Sequence, residues 1–262
     1  DYSCHIPQNY EGAIYQVFSS VEQLATMLQS KNETERKAKE FLKDTISDIS
    51  HQLKTPLAAL TMYQEIIESE PENAETVKQF AAKMGISLKR MEQLILSMLK
   101  ITRLDTGNII FEKKSCRVSE LIAHSVNELT ARAKNENKQI QIDGDGEQKL
   151  ICDMEWTGEA IGNIVKNALD HTQVGGIVRI TWNRAPAMFQ IFISDNGSGI
   201  APEDIHHIFK RFYRSKHSID TQGIGLGLPL AKSIIEGQGG VISVQSESGK
   251  GTLFTLSFLT EL

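Results

Sequence analysis

The chain has 262 residues, of which 40% are apolar and 23% charged, and its formal net charge at pH 7 is −5. This length suits one or two packed domains, and the acidic balance argues against a nucleic-acid-binding surface. The three cysteines are isolated and odd in number, which argues against a disulfide framework or a zinc site and suits a reducing cytoplasm.

No segment approaches the roughly 20 apolar residues that span a bilayer, and the chain opens Asp1-Tyr2-Ser3 without a methionine. We therefore expect the soluble part of a longer protein. In that protein, any membrane contact would depend on segments outside this chain.

The first 70 residues predict long amphipathic helix. Apolar residues recur at steps of three and four over residues 14–28 and again over 42–60, which is typical of a coiled-coil seam. The charged stretch Lys31–Lys39 between them is either a solvated helix segment or a soft joint through which a signal passes. His51 falls between two seam positions, so it is predicted to point away from the seam.

A second amphipathic helix is predicted over residues 77–98, after a turn at Glu68–Asn73 in which Pro71 cannot continue the first helix. Two such helices in a hairpin cannot bury their apolar faces alone. The pattern therefore predicts a homodimer whose hairpins form a four-helix bundle.

Beyond Gly107, which can end the second helix, the pattern becomes mixed. Strands adjacent in sequence with helices grouped between them predict a two-layer α+β sandwich. The predicted strands are Ile109–Glu112, Gln139–Ile142, Leu150–Asp153, Ile177–Trp182, Phe189–Ser194, Val241–Gln245 and Leu253–Phe258. The predicted helices are Val118–Asn135, Glu155–Thr172 and Leu226–Gly237.

Two glycine-containing segments in this region suggest nucleotide binding. Asp195–Ile200 (DNGSGI) follows a predicted buried strand, where an Asp can accept a hydrogen bond from the amine of adenine, although Asp-Asn-Gly is also good turn chemistry. Gly223–Leu228 (GIGLGL) leads into an apolar helix, whose free N–H groups can hold phosphate. A dinucleotide-binding fold is not favoured, because no βαβ unit surrounds these glycines.

A third segment places two amides on one helix face. Asn163 and Asn167 are four residues apart, and amide oxygens suit a hard cation such as Mg²⁺. Two capping or surface asparagines are the alternative, which poor helix propensity makes less attractive in mid-helix. The aromatic and basic segment Phe209–His217 is typical of a mobile lid over phosphates.

Together these segments resemble the sensor histidine kinases, from about Phe41 to the C-terminus. DISHQLKTPLAAL (48–60) resembles the H-box, NIVKNALDHT (163–172) the N-box and DNGSGI (195–200) the first G-box. FKRFYR (209–214) resembles the F-box, GIGLGLPLAK (223–232) the second G-box, and GKGT (249–252) the final glycine-threonine turn. Their order and spacing also fit. The resemblance implies a helical dimerisation and phosphotransfer hairpin, followed by an ATP-binding domain of the Bergerat fold.

The resemblance also implies roles and domains. It predicts a signalling helix over 1–40, a dimerisation and phosphotransfer domain over 41–106, and a catalytic ATP-binding domain over 107–262. Matching positions make His51 the phosphoryl acceptor, with Gln52 beside it, and give Thr55 the positioning of water during dephosphorylation of a response regulator. Asn167 is the implied Mg²⁺ ligand. The implied ATP-binding residues are Asn163, Lys166, Asn167, His171, Asp195, Gly197, Gly199, Ile200, Arg211, Tyr213, Arg214, Gly223, Gly225, Leu226, Gly227, Leu228 and Thr252.

Two positions depart from the common family pattern. Gln52 stands where a carboxylate usually takes a proton from the imidazole, so we expect autophosphorylation to be slower but not lost. Asp170 stands where a Lys or Arg often contacts phosphate, and an acid there would repel the triphosphate unless Lys166 or a lid cation such as Lys216 compensates.

Three functions are consistent with these features. The first is an ATP-dependent histidine kinase on the cytoplasmic side of the cell membrane, which passes its phosphoryl group to an aspartate in the receiver domain of a response regulator. The second is a dimeric regulator-binding scaffold that acts mainly as a phosphatase. The third, a Bergerat-fold ATPase without phosphotransfer, leaves the His51 hairpin unexplained.

Overall fold

The computed structural model describes residues 13–107, 109–215 and 223–260. The chain divides into two compact units at the Ser87–Leu88 boundary. Residues 1–12 of the predicted signalling helix lie outside the described residues, as does the predicted lid cation Lys216. Among the described helices, none combines the length and the apolarity that crossing a membrane requires.

Helix α1 of the first unit is Ala13–Ser69, 57 residues without interruption. The charged stretch Lys31–Lys39 therefore continues the helix. Within it, Arg36 pairs with Glu33 and with Glu40, each at 2.8 Å, at the spacings that stabilise an exposed helix. The described side chains of the predicted 14–28 seam are largely exposed, whereas the side chains of Ile14 and Leu42 are outside the described part of the structure.

The predicted turn separates α1 from helix α2, Ala74–Asp105. Asn73 caps α2, because its side-chain oxygen accepts a hydrogen bond from the N–H of Thr76 at 3.2 Å. Near the turn, the rings of Tyr63 and Phe80 pack with their centroids 5.6 Å apart. The helical hairpin is therefore confirmed. Gly107 follows the end of α2 with φ of +66°, as predicted for a helix terminator.

The second unit contains two sheets. Strands β1 (Lys114–Arg117) and β3 (Lys149–Cys152) form an antiparallel pair. The strands of the larger sheet are β2 (Gln139–Asp143), β4 (Ile177–Arg184), β5 (Met188–Asp195), β6 (Val241–Glu247) and β7 (Gly251–Leu259). Their order is β2-β4-β5-β7-β6, in which β2 is parallel to β4 and all other neighbours are antiparallel.

Helices cover one face of this sheet, which confirms the predicted two-layer arrangement. They are α3 (Val118–Asn135), α4 (Met154–His171) and α6 (Gly227–Gly237), together with a short helix α5 (Pro202–Ile205). Alternate strand residues such as Ile180, Ile191 and Phe254 are fully buried beneath them. Helix α5 was not predicted, although Pro202 in its first turn is a known helix-start signal.

The predicted strand Ile109–Glu112 is wrong, because the strand of this region is β1, a few residues later. Ile110 is 91% exposed. The N–H of Glu112 donates to the side chain of Asp153 at 2.9 Å, and Phe111 packs edge-on against Trp156. This segment is therefore held by side-chain contacts, and not by the hydrogen bonds of a strand ladder.

Candidate active site

Three chain segments meet where β5 ends at Asp195. The N–H of Ser198 donates to the carbonyl oxygen of His171 at 3.1 Å, and the N–H of Gly249 donates to the carbonyl oxygen of Ser198 at 2.7 Å. The end of α4 and the β6–β7 turn are thus joined through the DNGSGI loop. The structure brings together the N-box, the first G-box and the final glycine-threonine turn.

The backbones at this junction are too close for larger residues. A Cβ atom on Gly199 would lie 2.1 Å from the carbonyl oxygen of Glu247, and one on Gly251 would lie 2.0 Å from the carbonyl oxygen of Asp195. Both glycines also have positive φ, +67° and +99°. Glycine is therefore required at both positions by the packing of the loops themselves.

Asp195 is a half-buried carboxylate held by main-chain donors. One of its oxygens accepts a hydrogen bond from the N–H of Gly197 at 2.9 Å. Burial raises the pKa of Asp195 above its ordinary value, and the hydrogen bonds from the N–H groups of Gly197 and Thr252 offset part of that rise. The side chain is thus an anchored acceptor at the end of a core strand.

Ser246 is a site-forming residue that the sequence reasoning missed. Its Oγ accepts a hydrogen bond from the N–H of Ile200 at 2.8 Å, donates to the carbonyl oxygen of Gly251, and lies 3.0 Å from Oγ1 of Thr252. The hydroxyl therefore ties the first G-box to the β6–β7 hairpin. Only the pairing of Ser246 with Thr252 in the strand register could have indicated this contact.

The predicted amide face of α4 lies beside the start of α6. A Cβ atom on Gly227 would lie 3.2 Å from Oδ1 of Asn163, whose Nδ2 donates to the carbonyl oxygen of Glu159. Asn167 is half-buried one turn later, whereas Lys166 is exposed. Leu226, which immediately precedes α6, is buried, while Gly227 and Leu228 in its first turn are half-buried. The amide face of α4 and the first turn of α6 are thus neighbours in the second unit.

The predicted lid segment contacts the second G-box on the other side of residues 216–222. The N–H of Phe212 donates to the carbonyl oxygen of Gly225 at 2.8 Å. Gly223, at the start of the second G-box, is half-buried. Residues 216–222 themselves lie outside the described part of the chain.

The lid side chains contact protein carboxylates. Arg211 pairs with Asp105 at the end of α2, and the hydroxyl of Tyr213 donates to Asp204. The latter bond holds the pKa of Tyr213 above its ordinary value. Arg214 is exposed. The contact of these side chains with nucleotide stays a prediction.

Asp170 has a partner that the sequence did not indicate. Its carboxylate accepts a hydrogen bond from Arg132 of α3 at 2.6 Å, and Arg132 also bonds Glu136. The side chain of Asp170 is 17% exposed. An ion pair within the unit therefore neutralises the carboxylate that was expected to repel phosphate.

The predicted phosphoryl acceptor lies in the first unit. His51 and Thr55 are exposed on α1, one helical turn apart, and Gln52 is half-buried between them. Pro56 is buried within the same helix. An exposed imidazole on a helix is available to a reactant from solvent or from another domain.

Two family models match the chain. Residues 41–107 match the His Kinase A (phospho-acceptor) domain, and residues 152–262 match the histidine kinase-, DNA gyrase B-, and HSP90-like ATPase domain. A phospho-acceptor hairpin followed by an ATPase domain of this type defines the histidine kinases of two-component systems. The chain belongs to the sensor histidine kinases, which confirms the resemblance stated from its motifs.

Curated relatives agree with this assignment. The sensor-like histidine kinase SenX3 of Mycobacterium tuberculosis is 30% identical over 217 residues, which cover 82% of this chain and 53% of SenX3. The sensor protein SrrB of Staphylococcus aureus is also 30% identical over 217 residues, covering 37% of SrrB. The chain thus spans about half the length of these relatives or less.

Solved structures share the fold. Histidine kinase ThkA, in its complex with the response regulator protein TrrA, gives a TM-score of 0.70 at 21% identity, covering 88% of this chain and 66% of ThkA. The Acinetobacter baumannii histidine kinase AdeS gives a TM-score of 0.63 at 18% identity, covering 80% of this chain and 97% of AdeS. At these identities the likeness establishes the architecture alone.

Proposed function

We propose that this chain is an ATP-dependent kinase that phosphorylates its own His51 and passes the phosphoryl group to an aspartate of a response regulator. The observation that carries the proposal is that one unit presents an exposed helical His51 and the other forms the three-segment junction at Asp195. An ATPase domain alone would leave the HQLKTP segment without a purpose.

In this proposal the second unit holds ATP. The carboxylate of Asp195 accepts a hydrogen bond from the exocyclic amine of adenine, and its main-chain donors fix the direction of the acceptor. The phosphates lie towards the start of α6, where the N–H groups of a first helical turn and the helix dipole favour negative charge. Lys166 and Arg214, both exposed, are the nearby cations assigned to the nucleotide.

The side chains also suit Mg²⁺. Asn163 and Asn167 present amide oxygens, which are hard ligands, beside the predicted phosphate position. We assign Asn167 as the ligand and Asn163 as a lining residue of the phosphates. When bound, the cation neutralises charge on the phosphate oxygens.

The transfer itself needs few protein groups. A ring nitrogen of His51 forms a bond to the γ-phosphorus of ATP, the bond to the bridging oxygen breaks, and ADP leaves with the electron pair, while the N–H proton of the other ring nitrogen passes to water. Such reactions depend mainly on positioning and charge neutralisation. Gln52 can orient the imidazole by a hydrogen bond, but its amide cannot remove the proton as a carboxylate would.

The proposed partners are a second copy of the chain and a receiver domain. Exposed apolar residues on both helices of the hairpin require a covering surface, and a four-helix bundle of two hairpins would supply it. ThkA has been solved with a response regulator, and we assign the same class of partner here. In the intact protein, segments outside this chain would place both units on the cytoplasmic side of the membrane.

The test is incubation of the chain with Mg²⁺ and γ-labelled ATP, followed by acid and base treatment of the labelled protein. The expected label is acid-labile and base-stable, as a phosphohistidine is. His51→Gln should abolish it, and Asn167→Ala should lose most of it. His124→Gln, which changes another exposed helical histidine, is the matched control and should label normally. Persistent label on His51→Gln would contradict the proposal.

A second candidate function is dephosphorylation of the regulator. It is favoured by Gln52, which weakens the kinase step, and by Thr55, which is exposed one turn after His51 and could position a water. The test is loss of phosphate from a receiver domain that binds the chain. Thr55→Ala should slow this loss, whereas Thr26→Ala, an exposed threonine on the same helix, should not. Equal rates for both variants would remove Thr55 from this role.

A further inference from the structure

Two cysteines that are far apart in sequence lie side by side in the second unit. Sγ of Cys116 on β1 and Sγ of Cys152 on β3 are 3.5 Å apart, and both residues are free thiols. The cysteines are isolated in sequence, and the pairing of β1 with β3 brings these two together. In the β1–β3 register, Cys116 lies opposite Leu150 and Cys152 opposite Lys114, so the two thiols are diagonal neighbours.

The pair is accessible from solvent and chemically unequal. Both cysteines line a surface groove of about 770 Å³. Cys116 is half-buried, whereas Cys152 is only 1% exposed. The hydrogen bond between the two sulfurs lowers the pKa of Cys116, while the same pairing and burial raise the pKa of Cys152. Cys116 is thus the more nucleophilic thiol, with Cys152 as its neighbour.

We propose that Cys116 and Cys152 form an oxidative modification site, at which a hydroperoxide converts the two thiols into a disulfide within the chain. The thiolate of Cys116 attacks the terminal peroxide oxygen, the O–O bond breaks, and the alcohol or water leaves with the second oxygen. The resulting sulfenic acid is attacked by the sulfur of Cys152, and water leaves. Two thiols are oxidised by two electrons while one peroxide is reduced.

Closure of this bond requires a small shift in the β1–β3 pair. The sulfurs must approach by about 1.5 Å to reach a bond of about 2.05 Å, and diagonal strand neighbours are wider apart than most disulfides allow. Both strands have only four residues and form a sheet of their own. A short two-stranded ladder is the part of a sheet that can adjust most readily.

The shift would act on a junction next to the nucleotide segments. Cys152 precedes Asp153, which caps α4 by accepting from the N–H of Trp156 and also holds the N–H of Glu112. The N–H of Asp153 donates in turn to the side chain of Gln238 at the end of α6. Helices α4 and α6 carry the amide face and the second G-box, so the oxidised state should have a weakened ATP site. This consequence rests on the proposed function.

The first experiment tests the disulfide alone. Cys4→Ser removes the remaining cysteine, so that only the pair can react. The chain is treated with hydrogen peroxide under native conditions, its free thiols are alkylated, and the peptides are mapped by mass spectrometry. The expected result is a peptide linking Cys116 to Cys152 within one chain, reversed by dithiothreitol. Thiols that remain alkylatable, or links only between chains, would overturn the proposal.

A single-cysteine variant tests the order of the two steps. With Cys152→Ser, the sulfenic acid on Cys116 has no resolving thiol and should accumulate, trapped by dimedone. With Cys116→Ser, trapping at Cys152 should be much slower. Faster trapping at Cys152 would overturn the assigned order.

The second experiment measures the consequence. Peroxide should cause a several-fold loss of the initial rate of labelling from γ-labelled ATP in the Cys4→Ser chain, but not in Cys4→Ser/Cys116→Ser. If the disulfide forms and labelling is unchanged, the coupling through Asp153 is wrong. If no variant labels at all, the kinase proposal fails while the mapped disulfide stands.

Discussion

The two units of the chain bury their apolar side chains to very different degrees. In the first unit, Val17, Leu24 and Ile46 each expose more than half of their surface, at 61%, 59% and 62%. In the second unit, Phe189 and Phe254 are fully buried. The second unit therefore has a closed core of its own, whereas the first unit leaves much of its apolar surface exposed.

Because of this difference, substitutions in the two units should affect different properties, namely stability in the second unit and reaction rate in the first. In the second unit, close backbone contacts fix the nucleotide segments, so small substitutions should have large effects on stability. In the first unit, the residues proposed to react, such as His51, are on an exposed helix surface. Substitutions there should change reaction rates with little effect on folding.

The largest effect is expected at the three-segment junction. Gly251→Ala should destabilise the second unit by about 3 kcal/mol or more, because its Cβ would strike the backbone of Asp195 at a strained φ. Gly249→Ala also has positive φ but meets no atom within 4 Å, so its cost should be about 1–2 kcal/mol.

Both variants can be compared by denaturant unfolding followed by tryptophan fluorescence. The two tryptophans, Trp156 and Trp182, both lie in the second unit and therefore report on it selectively. Equal losses for the two glycine variants would show that backbone strain alone, and not the close contact with Asp195, determines the cost.

The next largest effect is expected on rate, in the first unit. Gln52→Glu should raise the initial rate of His51 labelling by up to about 10²-fold, because a carboxylate can accept the imidazole proton. Unfolding of the variant should match that of the wild type. The measurement is the initial labelling rate at saturating ATP, and an unchanged rate would mean that proton removal does not limit the reaction.

A moderate effect is expected for the ion pair between α3 and α4. Arg132→Met should cost about 1–2 kcal/mol of stability, since it leaves the carboxylate of Asp170 partly buried and unpaired. Adding Asp170→Leu should recover part of that loss. The unfolding free energies of the two single variants and the double variant measure the coupling, which would be absent if the single losses simply add.

These contacts mark the limit of what the sequence could predict. Amphipathic periodicity and turn residues located the helical hairpin and most strands, because those signals are local. The partner of Asp170 is 38 residues away, and the sulfur of Cys116 meets that of Cys152 only through the β1–β3 register. Such pairings depend on tertiary structure, which the spacing of residues along the sequence does not predict.

A smaller effect is expected from the titration of Asp195. Its raised pKa means that the carboxylate takes up a proton at a higher pH than an ordinary aspartate, whose pKa is about 3.9. ATP affinity should therefore fall as pH falls through this raised pKa, because the protonated group is a weaker acceptor. Equilibrium binding across this range should show a steeper decline for the wild type than for Asp195→Asn. Parallel profiles would remove the carboxylate from adenine recognition.

The smallest effect is expected for a stability change in the first unit. Gly85 lies within α2, and a Cβ atom added there would meet no other atom within 4 Å. Gly85→Ala should therefore stabilise the helix by about 0.5–1 kcal/mol. Thermal unfolding followed by helical circular dichroism measures the change. A loss of stability would indicate that this face is covered when the protein associates.

In the proposed reaction, the imidazole of His51 receives the γ-phosphoryl group of ATP held by the second unit. The most direct measurement is to locate the phosphate on the wild-type chain after reaction with Mg²⁺-ATP, by fragmentation mass spectrometry at neutral to basic pH. We expect phosphate on the His51 imidazole. Phosphate on a serine, a threonine or another histidine, with His51 unmodified, would contradict it.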